Sequence, residues 1–395
     1  MFPVPCFAAI LFCVAEQRIP FVKVELDEND ISAVEAVLRS GWLTTASQVK
    51  ALEEELCAYT GAKYVNAVNS ATAAMHLCLA AWDLGPGDEV ITTPYTFTAT
   101  ANVIIHTGAT PVLVDVRESD ANIDPELIER AITPRTKVIL PVHIAGEPCD
   151  MDAIMAMARP RGIKVLEDAA HAIGTIYRGR MCGTLSDAAA FSFYANKTIT
   201  TGEGGALATD DEQLSARVRR LTLHGMSRDA YRRYDAGGTW RYDIEEFGFK
   251  DNLTDIAAAL GRSQLARIES FIEERTRVAQ RYIANLRDEP DIILPAFTEE
   301  NRHPWHIFMI RVREGARATR DQVIAGLAER GIGTSVHFIP LHYHTAYRKL
   351  GRWKEGDFPV AERFFAGEVT LPMYPGLSDA DVDEVCQALR EVLHA

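Results

Sequence analysis

The chain has 395 residues, 47% of them hydrophobic, and a formal net charge of −14. That length suits about two to three domains, and the acidity argues against a nucleic-acid partner, which needs a basic footprint. The seven cysteines are scattered, with no C-x-x-C pair and no zinc spacing, as expected of reduced thiols in a cytoplasmic protein.

Residues 1–18 form an apolar extension that includes Phe7 to Val14. It resembles the apolar part of a signal peptide but lacks the basic segment in front, and it is too short to span a bilayer. We read it as an extension outside the fold. No other run is long or apolar enough to cross a membrane.

Helical spacing follows over Asp30–Arg39, with Ile31, Val34 and Leu38 on one face, and again over Ser47–Tyr59, which stops at Gly61. Strands are expected over Lys63–Val68, Glu89–Thr93, Thr110–Asp115, Val138–Val142 and Lys164–Asp168. Helices alternate with them over Ala73–Trp82, Phe97–His106, Pro125–Ile132 and Asp150–Arg159. Such alternation predicts an α/β layered fold whose sheet is mostly parallel. Ligands bind beyond the carboxyl ends of the strands in these sheets, which draws attention to Asn69–Thr72 and Asp168. A further strand is predicted over Ala188–Tyr194, and Arg228–Tyr242 reads as an exposed loop. The later chain reads as one long helix over Asp255–Leu286, then a strand over His306–Val312 and a helix over Arg320–Arg330. A strand over Gly333–Phe338 and helices over Phe358–Gly367 and Asp379–Leu393 complete it. The expected division is a large domain over 19–260 and a smaller α+β domain over 261–395.

Lys197 is oddly placed, between the apolar run ending at Tyr194 and the glycine turn Thr201-Gly-Glu-Gly-Gly205. Lysine is rarely buried unless paired or chemically used. A desolvated lysine has a lowered pKa and attacks carbonyls. Lys197 is therefore either a Schiff-base lysine or a strand-end residue reaching solvent. Asn69-Ser-Ala-Thr-Ala-Ala74 is either a phosphate cradle at a helix start or an ordinary cap. Asp168 suits a partner for a cationic cofactor atom or a turn, and His171 suits a ring contact or a satisfied core position. The glycine turn is neither a dinucleotide fingerprint nor a Walker loop. No G-x-S-x-G elbow occurs. His337, His342 and His344 lack a completing carboxylate or cysteine, so no metal is expected.

In order along the chain, these motifs resemble the fold-type I pyridoxal-phosphate enzymes and, within them, the DegT/StrS-type nucleotide-sugar aminotransferases. The stretches that carry the resemblance include Ser40–Thr45, Asn69–His76, Thr93–Thr100, Pro141–Gly146, Glu167–Gly174, Ser192–Gly205, Gly248–Ile256 and Leu371–Pro375. They span the chain from about residue 20 onward. The resemblance implies a mostly parallel seven-stranded sheet between helices in the large domain. It implies that Lys197 carries pyridoxal 5'-phosphate as an imine, with Asp168 on the pyridine nitrogen. Thr72, Ala73 and Ser192 would hold the phosphate, Phe97 would stack on the ring, and His171 would lie near its other face. Asn252 would reach the cofactor of a neighbouring subunit, implying a homodimer with shared active sites. Trp42 and His337 would face the sugar.

The implied reaction moves an amino group from glutamate to a nucleotide-linked keto sugar, a 4-keto-6-deoxyhexose, in polysaccharide or glycoconjugate biosynthesis. A 3-keto substrate and a pyridoxal-binding regulatory protein are the alternatives. A sugar dehydratase would carry histidine where this chain has Lys197.

Overall fold

The computed structural model describes residues 17–227, 242–298 and 300–395. Most of the apolar extension, residues 1–16, lies outside these, as does the loop expected at 228–242 apart from Tyr242.

The large sheet forms because short apolar runs recur between helices, and the runs Glu89–Thr92, Ala188–Ser192 and Gly205–Thr209 are buried on both faces. Its strands are β1 (Tyr64–Val68), β2 (Glu89–Thr92), β3 (Thr110–Leu113), β4 (Thr136–Ile139) and β5 (Lys164–Asp168). A small hairpin, β6 (Ile176–Tyr177) and β7 (Arg180–Met181), stands apart, and β8 (Ala188–Ser192) and β9 (Gly205–Thr209) complete the sheet. The seven strands run in the order β1-β9-β8-β5-β4-β2-β3. Only β9 is antiparallel to its neighbours. Alternate residues of β8 enter opposite cores, Ala189 and Phe191 on one side and Ala188 and Ala190 on the other.

The glycine turn thus leads into a strand, and Glu212–Leu221 is a helix that periodicity did not single out. Gly205-Ala-Leu-Ala-Thr209 is small and carries little β-branched signal, so its strand character comes from the pairing on both sides.

The helices sit close to their expected limits: α1 (Glu28–Ser40), α2 (Ser47–Thr60) and α3 (Ala71–Ala81). The apolar face expected on α1 is turned outward, with Ile31 55% and Leu38 53% exposed, while Asp30 and Val37 are buried. The single helix expected over Asp255–Leu286 is two, Asp255–Leu265 and Ile268–Leu286. At the break Arg267 leaves helical geometry (φ −111°, ψ 5°) and pairs with Asp27 at 3.1 Å.

A second core gathers around a three-stranded sheet of β10 (Ile292–Ile293), β11 (Phe308–Val312) and β12 (Glu368–Leu371). Tyr282, Phe308, Ile310, Leu371 and Leu389 fill it, and Ile19 joins them. The strand expected over Gly333–Phe338 is absent. Ser335 makes one isolated bridge to Thr370, after which the His337 N–H turns to the Glu368 carboxyl group instead of a ladder partner.

One remote cap ties the helices together. α2 has no side-chain cap of its own. The buried Asp255 carboxylate accepts from Ala46, Gln48 and Val49 N–H at 2.7–3.1 Å. Asp255→Ala strands these donors and is expected to cost about 3 kcal/mol, read as a lower urea midpoint. An unchanged midpoint would contradict the cap.

Candidate active site

The carboxyl edge of the sheet brings the parts together. β1 ends at Val68, β8 at Ser192 and β5 at Asp168, and β9 begins at Gly205 opposite both Val68 and Ser192. There a cavity of about 510 Å³ opens.

Of the residues singled out in the sequence, Thr72, Phe97, Asp168 and His171 line this cavity, together with Ser192, Lys197 and His337. Ala73 does not line it. Its N–H donates to Ser70 Oγ at 3.0 Å, so Ser70 caps α3. Asn252 is also off the wall of this chain's cavity. It bridges to Val68 at the outer edge of β1, and its amide donates to Thr45 Oγ1 at 2.7 Å. Trp42 sits on the turn after α1, 45% exposed, and does not line the cavity either.

Lys197 is half-buried, and desolvation lowers its amine to about 8 against the opposing pull of Asp168. Asp168 is buried, and desolvation raises its carboxyl above the ordinary range. Thr100 Oγ1 donates to one carboxylate oxygen at 2.8 Å and Ala170 N–H to the other at 3.2 Å, opposing that rise. His171 is held far below its usual pKa by burial, then by Lys197 and His337. Its Nδ1 accepts the Ala145 N–H at 3.2 Å, so Nε2 carries the proton.

Two residues were not singled out from the sequence. His306 lies at the mouth of β11, buried, with Nε2 3.4 Å from Lys197 Nζ and its ring 4.4 Å from that of His171. A histidine opening an otherwise apolar strand was the available signal. Asn196 lines the cavity with its buried Oδ1 unpartnered. Of the three histidines weighed as metal ligands, His337 takes Thr370 and His342 takes Glu362.

The cavity fits a phosphorylated aldehyde cofactor. Ser70 Oγ and the Ser70 carbonyl take the Ala73 and Ala74 amides, leaving the Ala71 and Thr72 amides as orphan donors of the helix start. The glycine at 205 keeps that start open. A Cβ there would lie 2.4 Å from Ala71 N and 2.7 Å from Phe191 O.

The sheet and the cavity at its carboxyl edge are those of a pyridoxal-phosphate-dependent transferase. The chain belongs to the DegT/DnrJ/EryC1/StrS aminotransferase family, whose model matches residues 24–390. It is 48% identical over 377 residues to the spore coat polysaccharide biosynthesis protein SpsC of Bacillus subtilis, covering 95% of this chain and 97% of SpsC. Among solved structures it resembles the Streptococcus pneumoniae protein Spr1654, assigned as a sugar aminotransferase. In its PLP form the TM-score is 0.89 at 37% identity, covering 95% of this chain and 98% of that one. In the PMP form the TM-score is 0.90 at 38% identity, covering 95% and 99%. Helicobacter pylori PseC, an aminotransferase involved in pseudoaminic acid biosynthesis, has a TM-score of 0.88 at 29% identity, covering 95% and 99%. No helix among the described residues is long and apolar enough to cross a membrane.

Gly205→Ala is expected to weaken pyridoxal-phosphate binding by about tenfold, measured by fluorescence titration of the apoprotein. Gly85→Ala, where a Cβ meets open space, should leave it unchanged. Equal affinity in both variants would contradict the cradle.

Proposed function

We propose that this aminotransferase moves an amino group from glutamate to a nucleotide-linked keto sugar, a 4-keto-6-deoxyhexose, for polysaccharide or glycoconjugate biosynthesis. The observation that carries the reading is Lys197, lowered to about 8 beside buried Asp168, in a cavity large enough for a cofactor and part of a sugar. The names of SpsC and PseC, which belong to polysaccharide and sugar-acid biosynthesis, support the substrate class.

Asp168 would hold the pyridine nitrogen, with its carboxylate oriented by Thr100 and Ala170. Ser192 and the start of α3 at Thr72 would hold the phosphate, and Phe97 and His171 would flank the ring. When bound, the cofactor supplies an electron sink for negative charge at the carbon bearing the amine. Lys197 Nζ would hold the cofactor's aldehyde carbon and, when free, would serve as the base for the proton on the donor's α-carbon. In the second half the same nitrogen would act in the reverse sense, as the acid that protonates the sugar carbon receiving the amine. His337 would face the sugar.

A homodimer with shared sites is part of this proposal. Asn252 and Trp42 lie off this chain's cavity wall, where a residue serving a partner's site would lie. Ile31, Leu38, Trp42 and Leu43, on α1 and the turn after it, are 44–55% exposed. Apolar exposure of that kind marks an interaction face. A cytoplasmic location is inferred from the described cysteines, Cys57, Cys78, Cys149, Cys182 and Cys386, which are all free.

Two outcomes test this reading. Only the neutral amine attacks an aldehyde, so covalent uptake of pyridoxal phosphate by the apoprotein should accelerate as pH rises through about 8. Imine absorbance follows the uptake, and Lys197→Ala should abolish it while cofactor still binds reversibly. A pH-independent rate, or an imine band in Lys197→Ala, would contradict the role of Lys197. For the substrate, enzyme loaded with pyridoxamine phosphate should regain the imine band with a nucleotide keto sugar from a panel. No return with any of them would sink the sugar assignment.

A further inference from the structure

His337 lines the cavity, and what it offers there depends on which ring nitrogen carries the proton. Burial, aided by Lys197, holds its pKa down at about 4, so the ring is neutral at physiological pH. A neutral imidazole has one N–H and one bare nitrogen, and the bond made by one decides the state of the other. His337 Nδ1 lies 2.9 Å from Thr370 Oγ1. The same hydroxyl bonds to Glu368 Oε1, and Glu368 Oε2 accepts the His337 N–H at 2.8 Å. Thr370 and Glu368 are completely buried. Among the described residues, no other side chain bonds to the side chains of these three.

A hydroxyl has a single proton to give. When Glu368 is ionised, Thr370 donates to Oε1 and accepts from Nδ1–H, which leaves Nε2 bare. When Oε1 is protonated, it donates to Thr370, Thr370 donates to Nδ1, and Nε2 carries the hydrogen. One proton on Glu368 therefore reverses both links and exchanges the ring's two faces.

We propose that Glu368, acting through Thr370, decides whether His337 offers the sugar a hydrogen-bond donor or an acceptor. Glu368 and Thr370 are thus positioning residues that select which oxygen of the sugar His337 holds. This rests on the keto-sugar assignment made above.

The surroundings favour the neutral carboxyl. Desolvation pushes Glu368 up to about 8, opposed by Thr370, the His337 N–H and Arg320. Arg320 bonds to the Glu368 carbonyl at 3.5 Å rather than to its carboxyl group. Arg311, paired opposite on β11, is occupied by Glu118 at 2.7 Å. Tyr95, buried with its hydroxyl unpartnered, lies within the field of Glu368. On the histidine side, Lys197 lowers His337, and His337 in turn lowers His171 and His306. At neutral pH, then, His337 presents Nε2–H and holds an acceptor oxygen of the sugar. Above the Glu368 midpoint it presents a lone pair.

The test is a long-range proton–nitrogen NMR spectrum of histidine-labelled holoenzyme without sugar, with His337→Gln assigning the signal. The expected result is an Nε2-protonated ring that converts to the Nδ1-protonated form as pH rises through about 8. In Glu368→Gln the amide oxygen keeps the His337 N–H and the amide nitrogen donates to Thr370, so the Nε2–H form should persist at every pH. Thr370→Val should abolish the response. An unchanged tautomer across the wild-type titration, which needs no variant to fold, overturns the proposal. So does an intact response in Thr370→Val. In turnover, kcat/KM for the keto sugar should fall about tenfold above the midpoint, and Glu368→Gln should remove that fall. The glutamate half-reaction should not change between the two enzymes. A normal tautomer switch in an enzyme that accepts no keto sugar would count against the substrate assignment and leave the relay standing.

Discussion

A lysine amine withdrawn from water sits in the field of a buried carboxyl group, and the two influences oppose each other. Burial lowers Lys197 toward about 8, and Asp168 pulls it back up. Asp168 pays the same desolvation and is steadied by Thr100 and Ala170. The amine is left titrating close to physiological pH, where it can serve as both nucleophile and proton carrier. An exposed lysine would stay protonated, and one paired tightly with a carboxylate would be held in its charged form.

That balance depends on the sheet. The parallel strands β5 and β8 end side by side, which sets Asp168 next to the chain leading to Lys197. Antiparallel β9 returns between β8 and β1, so Gly205 meets the start of α3. The small residues of β8 and β9 let helices close on both faces. His306, just before β11, lies against Lys197, so the strand at the centre of the second core reaches the site through it.

The sequence made the sheet legible through local rules, and most of the cavity because its motifs, in order along the chain, resemble those of a known family. Alternating apolar runs and helices predict the parallel layers, and Asp168, Ser192 and Lys197 follow runs whose burial is plain. What it hid was set by distant contacts. β9 is a strand because two neighbours pair with it, although its own residues are mostly small. Gly333–Phe338 has the composition of a strand, yet the Glu368 side chain takes the His337 N–H and ends the pairing. The outward face of α1 carries the spacing of a buried one, because periodicity reports an apolar stripe and not what covers it. The family resemblance implied Ala73 as a phosphate contact, but Ser70 already occupies its N–H.

The central claim, direct transfer of nitrogen to a sugar carbon through Lys197, is tested most directly by isotope. The enzyme is incubated with glutamate labelled with nitrogen-15 and the nucleotide keto sugar that answers the half-reaction screen, and the products are read by mass spectrometry and NMR. The expected result is nitrogen-15 bonded to a carbon of the sugar, with 2-oxoglutarate formed in equal amount. Label that stays in glutamate while the sugar loses water, or label released as ammonia, would contradict it.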